Sequence, residues 1–531
     1  MANLGVAPGH DDRAKLKDLA PLIERHAAEL TQPGVLSIRP GYRLENDWPT
    51  MQPAIVVVKS PSAGDIPLPS SIEGVPVDVR VADPAEQLRH DDPVRYAKLA
   101  ARHPELRDGA LPEVGPDVAD EGAAAPAVAA AKPHMPYAPA SVPLAPVTGR
   151  LTFTCHASPD AGWPTLKNFL AATRSSLTIG LYDWTAAHIL DQVKQTLAVG
   201  QKLDLVLDHP STNPTADQTD PETIKALDQE LGDAFAAAWA LVRGNKDVAR
   251  WIYPTAYHIK VAVRDGNSFW LSSGNWNNSN QPDFDPIHNP RPDDQKLAKK
   301  SDRDWHVVVE NADLAATYEA YLKHDLEVAE KVAPAAGPGV KAATPAPAMP
   351  PEFRPQARGQ AFQFFEPLRL ENEPATITPL LTPDPGNYRN AMLELIQSAQ
   401  RSLYIQLQYI HPSDDEEDDD YMALLNAVVA KISAGIDVRI IVGQFQSLNG
   451  WLERLQDAGV DLAAVKIQNG VHNKGFIVDS KRVALGSQNW SGDGVLRNRD
   501  ASVIIDNPKA AAYYEQIFLH DWNRIAQKSV R

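Results

Sequence analysis

Two stretches of the chain share one arrangement of histidine, lysine, aspartate, serine and asparagine. The first, at residues 258–277, reads HIKVAVRDGNSFWLSSGNWN, and the second, at residues 472–491, reads HNKGFIVDSKRVALGSQNWS. Both fit the pattern H-x-K-x4-D-x6-(G/S)-S-x-N, with equivalent positions 214 residues apart. The matched pairs are His258 and His472, Lys260 and Lys474, Asp265 and Asp479, Ser273 and Ser487, and Asn275 and Asn489. The duplication indicates an internal repeat in which both copies keep the same chemical groups.

These residue types suit the cleavage of a phosphodiester. One neutral imidazole can attack phosphorus to give a phosphohistidine, and a second, protonated imidazole can donate a proton to the leaving oxygen. Each lysine lies two positions after its histidine, so on a strand both side chains point to the same face. There the ammonium groups can hold non-bridging phosphoryl oxygens, assisted by the amides of Asn275 and Asn489 and the hydroxyls of Ser273 and Ser487. The lysines supply the positive charge, so the pattern predicts neither a metal nor a cofactor.

The duplicated motif resembles the hallmark of the phospholipase D superfamily, and the resemblance covers about residues 149–531. It implies two fused halves that form a pseudo-two-fold dimer around one active site. It also implies a downstream carboxylate that orients each histidine, namely Asp304 for His258 and Asp500 for His472. Family usage favours His258 as the nucleophile and His472 as the acid.

Other residues of the motif regions receive weaker interpretations. The aspartates Asp265 and Asp479 stand in RDGN and VDSK, and both are predicted to form turns instead of carrying protons. Trp184, Trp276 and Trp490 flank the motif strands. They are candidates for lining a substrate pocket, with burial in the core as the equal alternative.

The elements that must position these groups are strands alternating with helices. In each half a helix (163–173 and 388–400) precedes a strand (175–184 and 401–410), and a second apolar strand follows (203–209 and 437–444). This spacing predicts an α/β fold of βαβ units with a mostly parallel sheet in each half.

The domain boundaries follow from composition. Residues 1–108 are expected to form a small α+β accessory domain with no catalytic constellation. Ala/Pro-rich linkers are predicted at 109–148 and 333–360, and they separate this domain from phospholipase D-like half 1 (149–332) and half 2 (361–531). One long charged helix is expected near residues 85–103.

Composition narrows the function. The net charge of −17 argues against broad binding to duplex DNA, and Cys155 is the single cysteine, so neither a disulfide framework nor a zinc site is expected. No signal sequence or membrane-spanning segment is predicted, which favours a cytoplasmic location, with export by a signal-independent route as the alternative. The chain is expected to be a monomer with an internal pseudo-dimer that contacts membrane surfaces transiently. The favoured function is hydrolysis or transfer of a phospholipid head group. A metal-independent endonuclease and a non-catalytic scaffold are the alternatives, because this fold hosts several functions.

Overall fold

The computed structural model describes residues 10–100, 103–109, 138–197, 200–208, 217–243, 249–251, 253, 255–332, 362–384 and 387–528. The predicted linker at 333–360 lies outside these ranges. So does most of the predicted linker at 109–148, of which only residue 109 and residues 138–148 are described.

The N-terminal domain is α+β, with a four-stranded sheet in the order β1-β2-β4-β3. The predicted charged helix near residues 85–103 is interrupted before Pro93, which has no backbone N–H for an intrahelical bond. The elements are α1 (His10–Arg25), α2 (Ala27–Leu30), β1 (Val35–Glu45), β2 (Trp48–Lys59), β3 (Ser71–Ile72), β4 (Val75–Val81), α3 (Pro84–Asp91) and α4 (Pro93–Ala100).

Half 1 follows, and it contains the first motif in a hairpin of two short buried strands, β11 and β12. Its elements are β5 (Val147–Ser158), α5 (Gly162–Ala171), β6 (Ser176–Leu181), α6 (Ala187–Thr196), β7 (Lys202–Leu207), α7 (Asp220–Leu231), β8 (Phe235–Trp239), β9 (Leu241–Arg243), β10 (Ala249–Trp251), β11 (Lys260–Arg264), β12 (Ser268–Ser272), α8 (Asp294–Ala298), β13 (Asp304–Glu310) and α9 (Ala312–Val332).

Half 2 repeats this order and places the second motif in the equivalent hairpin, β18 and β19. Its elements are β14 (Leu368–Thr382), α10 (Asn387–Gln397), β15 (Ser402–Leu407), α11 (Asp419–Ser433), β16 (Asp437–Gly443), α12 (Trp451–Asp457), β17 (Val465–Gln468), β18 (Lys474–Val478), β19 (Arg482–Gly486), β20 (Asp500–Asp506) and α13 (Pro508–His520).

The two halves join in one 14-stranded sheet whose order is symmetric about its centre: β17-β16-β15-β18-β19-β20-β14-β5-β13-β12-β11-β6-β7-β8. The central pair, β14 and β5, runs antiparallel. Every strand of half 1 in this order has its counterpart at the mirrored place in half 2. The arrangement is the pseudo-two-fold dimer that the repeat predicts.

The expectation of a mostly parallel sheet is wrong. In each half only the three outer strands are parallel, β6-β7-β8 and β15-β16-β17, and the remaining pairs are antiparallel. The reason is local. A tight turn inside each motif reverses the chain, so the motif forms a hairpin where a βαβ unit would need a crossover helix.

One hydrophobic core is shared by both halves and includes Val261 and Val307 from half 1 with Ile477 and Val503 from half 2. Each half also has its own core under its outer helices. Alternate side chains of one strand therefore point to different cores; Val261 lies in the shared core and Ala262 in that of half 1. None of the described helices is both long and apolar enough to cross a lipid bilayer.

Candidate active site

Both motif histidines lie in the short segments that lead into the hairpins, two residues before the strands begin. Lys260 is the first residue of β11 and pairs with Leu181 in β6, and Lys474 is the first residue of β18 and pairs with Leu407 in β15. Both lysine side chains are buried. The strand edges thus fix the backbone of each lysine and hold the preceding histidine at the end of the sheet.

Each half inserts an Arg-Asp dipeptide into the other half beside the histidine. The backbone N–H of Arg303 donates to Gly470 (2.6 Å), and the N–H of His472 donates back to the carbonyl of Arg303 (3.1 Å). In the symmetric contact, the N–H of His258 donates to the carbonyl of Arg499 at 2.7 Å. These bonds bring the aspartate that follows each arginine to the histidine of the opposite half.

The predicted carboxylate pairing is therefore corrected. His258 Nδ1 lies 2.8 Å from Asp500 Oδ1, and His472 Nδ1 lies 3.1 Å from Asp304 Oδ1. Sequence reasoning assigned the carboxylates within each half, whereas the structure exchanges them between halves. A bond from Nδ1–H to a carboxylate keeps Nε2 of each ring available for chemistry, and Nε2 of His472 lies 3.3 Å from Lys474 Nζ.

Contacts across the two halves show that the motifs share one site. Lys474 Nζ lies 3.1 Å from Nδ1 of its own His472 and 3.5 Å from the backbone oxygen of Ser273 in half 1. The ammonium of Lys474 also lowers the pKa of His258, which belongs to half 1. The two imidazole–ammonium pairs thus face a common space.

Burial and neighbouring charges shift the pKa values of these histidine–lysine pairs. Burial, followed by the nearby charge of Lys260, lowers the pKa of His258 to about 3, although Asp500 opposes this shift. His258 is consequently neutral near pH 7. Burial also lowers the pKa of Lys474 to about 8 and that of Lys260 well below its usual value.

The two carboxylates differ in their surroundings. Asp304 Oδ1 accepts from Ser273 Oγ (2.7 Å) as well as from His472, and its Oδ2 accepts from Asn280 Nδ2 at 2.9 Å. Burial alone would raise the pKa of Asp304, but His472 and its hydrogen bond outweigh burial and lower it. Asp500 Oδ2, in contrast, has no hydrogen-bond partner among the described residues.

The motif serines do not fit their predicted role as phosphate ligands. Both are fully buried. Ser273 donates to Asp304 and accepts the N–H of Trp305 at 3.1 Å, and Ser487 accepts the N–H of Ala501 at 3.0 Å. The hydroxyls therefore fix the start of the strand that carries each aspartate, which occupies them within the protein.

The motif asparagines, by contrast, keep polar atoms that bond to no described residue. Asn275 and Asn489 are 8% and 7% exposed, and the side-chain oxygen of each lies buried without a hydrogen-bond partner in the described part of the chain. A buried amide without a protein partner is costly unless a ligand or water satisfies it.

The aspartates of both motifs are turn residues, as predicted. Asp265 and Asp479 both have φ of 54°, the left-handed region that aspartate tolerates in turns. The carboxylate of Asp265 accepts the N–H groups of Arg174, Ser175 and Ser176 ahead of β6. That of Asp479 makes the equivalent contacts ahead of β15.

The three candidate pocket tryptophans are core residues, which corrects the pocket-lining prediction. Trp184 and Trp276 pack edge to face with ring centroids 4.6 Å apart in the core of half 1. Trp490 lies in the core of half 2, 4.8 Å from the ring of Phe476. All three are 0% exposed, and each packs in the core of its own half.

This placement predicts a stability effect without a binding effect. Trp490→Phe should lower the free energy of unfolding by about 1–2 kcal/mol through lost packing, and leave KM unchanged. Urea unfolding and steady-state kinetics on the same variant check both parts. A severalfold rise in KM with an unchanged free energy of unfolding would instead show that Trp490 contacts the substrate.

Sequence reasoning missed two features around the motifs. Asn280 bonds Asp304, and no pattern in the sequence marks it. Ser272, which replaces the first glycine of the second copy, bonds His306 Nδ1 at 2.6 Å. At the equivalent place Gly486 faces Ser502, whose Oγ would lie 1.9 Å from an added Cβ. Half 1 thus pairs a serine with a histidine where half 2 pairs a glycine with a serine. Comparing these two pairs of equivalent positions in the sequence would have revealed the difference.

Comparisons with known proteins find similarity over part of the chain. The sequence profile described as "Cardiolipin synthase, PLD-like domain" matches residues 392–522. Vaccinia virus virion nicking-joining enzyme is 30% identical over 138 residues, which is 25% of this chain and 32% of the viral protein. Phospholipase D of Rickettsia prowazekii is 25% identical over 144 residues, or 27% of this chain and 65% of the rickettsial protein.

The viral relatives are thus matched over about a third of their length. Among solved structures, phosphatidylserine synthase of Haemophilus influenzae aligns with 72% of this chain and 90% of its own, at 15% identity and a TM-score of 0.47.

Proposed function

We propose that this chain is a phosphodiester hydrolase of the phospholipase D superfamily, which cleaves a phospholipid head group, or transfers it, through a phosphohistidine. The observation that carries this proposal is the crossed pair of sites. Two histidines from distant parts of the chain are each oriented by a carboxylate of the other half, with both buried lysines beside them.

The first step is attack by His258. Its neutral ring donates Nδ1–H to Asp500, so Nε2 can form a bond to phosphorus while the bond to the leaving oxygen breaks. Protonated His472 gives its proton to that oxygen. Asp500 stabilises the positive charge that His258 gains when the phosphoenzyme forms.

The second step reverses the proton transfer. His472, now neutral, takes a proton from water or an acceptor alcohol as its oxygen attacks phosphorus, and the bond to His258 breaks. Water gives hydrolysis and an alcohol gives transfer. Lys260 and Lys474 hold the non-bridging oxygens in both steps, and the amides of Asn275 and Asn489 can turn their NH2 groups toward the same oxygens.

Some of the similar proteins are named as lipid enzymes and others are not. Those from Rickettsia are called phospholipase D and those from Buchnera aphidicola cardiolipin synthase A, whereas the viral relatives are called nicking-joining enzymes. That last similarity is the specific reason to keep a nuclease as the second candidate. The net charge of −17 favours the lipid, because a nucleic-acid surface is normally basic.

One assay set tests these candidates. The purified protein is incubated in EDTA with phosphatidylcholine vesicles, with plasmid DNA and with bis-p-nitrophenyl phosphate. We expect release of choline and of nitrophenolate, undiminished by EDTA because the lysines supply the positive charge. Plasmid nicking without choline release would replace the lipid function by the nuclease. Turnover of none of the three would support a scaffold.

The pH profile of kcat/KM should have its alkaline limb near pH 8. Above its pKa of about 8, Lys474 loses the charge that binds the phosphoryl group, so activity falls as pH rises. His258, with a pKa of about 3, stays neutral and adds no acid limb between pH 5 and 7. Stopped assays from pH 5 to 10 with an aryl phosphodiester measure both effects.

The control for this profile is Lys474→Arg. Arginine keeps its proton throughout this range, so the alkaline limb should move to higher pH even if the rate itself is lower. A limb that stays at pH 8 in this variant would assign it to a different group.

A further inference from the structure

A short segment of the N-terminal domain, residues 103–109, reaches the catalytic halves and is anchored there. The backbone oxygen of Leu106 accepts from Asn449 Nδ2 (2.7 Å), and that of Arg107 accepts from Trp451 Nε1 (2.5 Å). Asn449 and Trp451 belong to the connection that follows β16, at the same sheet end as the motif lysine of half 2. The segment is therefore held at the end of the sheet where the active site lies.

A second anchor ties the segment to the motif loop itself. Arg107 Nη1 lies 2.9 Å from Asp493 Oδ2, four residues after the motif asparagine Asn489. This loop approaches the motif closely, because an added Cβ on Gly494 would lie 2.1 Å from the backbone oxygen of Asn489. Both anchors lie within two residues of one acidic residue, Glu105.

Glu105 carries a negative charge at this position. Its side chain is 12% exposed and pairs with His103 Nδ1 at 3.4 Å. Burial would raise the pKa of its carboxyl group, but His103 and the more distant His472 outweigh burial and lower it. Burial lowers the pKa of Lys474, and the carboxylate of Glu105 is one of the negative charges that oppose this shift. Glu105 thus acts electrostatically on both motif groups of half 2.

Two tyrosines extend this environment toward the other half. Burial raises the pKa of Tyr182 and of Tyr409, and the carboxylate of Glu105 adds to both shifts. The ring of Tyr182 packs edge to face against His258, with centroids 5.1 Å apart. The faces of aromatic rings attract positive charge, so the ring of Tyr182 and the carboxylate of Glu105 together form an environment that can bind a cation.

We propose that Glu105, supplied by the N-terminal domain, is a specificity-determining residue that favours phosphodiesters bearing a cationic substituent and disfavours those bearing anionic ones. The inference rests on the proposed function and narrows its substrate class to amine-bearing or quaternary-ammonium head groups. It also gives the N-terminal domain a task at the active site, where the sequence indicated only an accessory module.

The test compares two esters of one shape. One is p-nitrophenyl phosphorylcholine, and the other is its neutral analogue, in which 3,3-dimethylbutanol replaces choline. The wild type should prefer the cationic ester in kcat/KM by about tenfold or more, and Glu105→Gln should bring the ratio close to one. Glu105→Asp keeps the charge and should retain most of the preference.

The matched control is Glu29→Gln. Glu29 lies in the same domain and pairs with His26 Nδ1 at 3.3 Å, so the variant removes the same charge from the same kind of pair. Its ratio should equal that of the wild type. Thermal unfolding of all variants is measured in parallel.

Several outcomes separate this inference from the proposed function. An unchanged ratio in Glu105→Gln overturns the role of Glu105 and leaves the lipid function standing. Equal loss on both esters with a lowered Tm overturns it too, because the residue is then structural. A shifted ratio without turnover of phosphatidylcholine supports Glu105 and rejects the lipid. No turnover of either ester by the wild type overturns both.

Discussion

Replacing His258 by Asn should lower kcat/KM by about 10⁴-fold or more, whatever the leaving group of the substrate. Asparagine preserves polarity beside Asp500 but cannot form the bond to phosphorus. His472→Asn should behave differently, because His472 is proposed to donate a proton to the leaving oxygen. A p-nitrophenolate leaving group needs no proton, so this variant should still release it in the first turnover.

The decisive measurement is a burst experiment on both variants. With a ³²P-labelled aryl phosphodiester, His472→Asn should release one equivalent of nitrophenolate and retain the label on His258, because no base activates water for the second step. His258→Asn should give neither burst nor label. If the label appeared on His472 in the His258→Asn variant, His472 would be the nucleophile and His258 the proton donor.

Unchanged turnover in both variants would remove the histidines from the mechanism altogether. Folding is checked by the thermal transition of each variant, since both rings are held by buried carboxylates.

The sequence predicted what depends on the repeat and on local spacing. Two copies of one motif predicted two halves and one shared site. The turn role of Asp265 and Asp479 followed from their short local sequences. Such features depend on residues close together in the chain or repeated at a constant distance.

The predictions that were wrong concern features that depend on contacts between distant segments of the chain. Within one half, nothing in the sequence reveals that Arg303 bonds to Gly470 and so presents Asp304 to the opposite histidine. The burial of Trp490 has the same cause, since the packing of other elements decides it. The site of Glu105 was equally hidden, because an N-terminal domain brings it to catalytic residues hundreds of positions away.

The same Arg-Asp dipeptides also hold the halves together. Arg303 of half 1 donates to Asp160 of its own half and, through Nε at 3.0 Å, to Asp521 of half 2. All three side chains are fully buried. Arg499 repeats this arrangement from half 2, with Asp325 at 2.7 Å and Asp384 at 2.9 Å. Each guanidinium thus neutralises two buried carboxylates at the junction.

Arg303→Met should therefore lower the free energy of unfolding by about 3–5 kcal/mol, because it leaves two carboxylates buried without their cation. Burial raises the pKa of Asp160 to about 6 even with Arg303 present, so without the arginine the carboxyl should remain protonated to higher pH. The stability deficit of the variant should consequently shrink as pH falls from 8 to 5, since protonation relieves the unpaired charge. Urea unfolding at several pH values measures this.

Arg369→Gln is the control for that measurement. Arg369 pairs with Glu310 at 2.6 Å on the surface, where its side chain is 47% exposed, and water replaces such a pair at little cost. The control should unfold like the wild type. If the free energy of unfolding of Arg303→Met were as high as that of Arg369→Gln, the buried carboxylates would have found other partners. The guanidinium would then serve only to place Asp304 beside His472, and the variant would lose activity without losing stability.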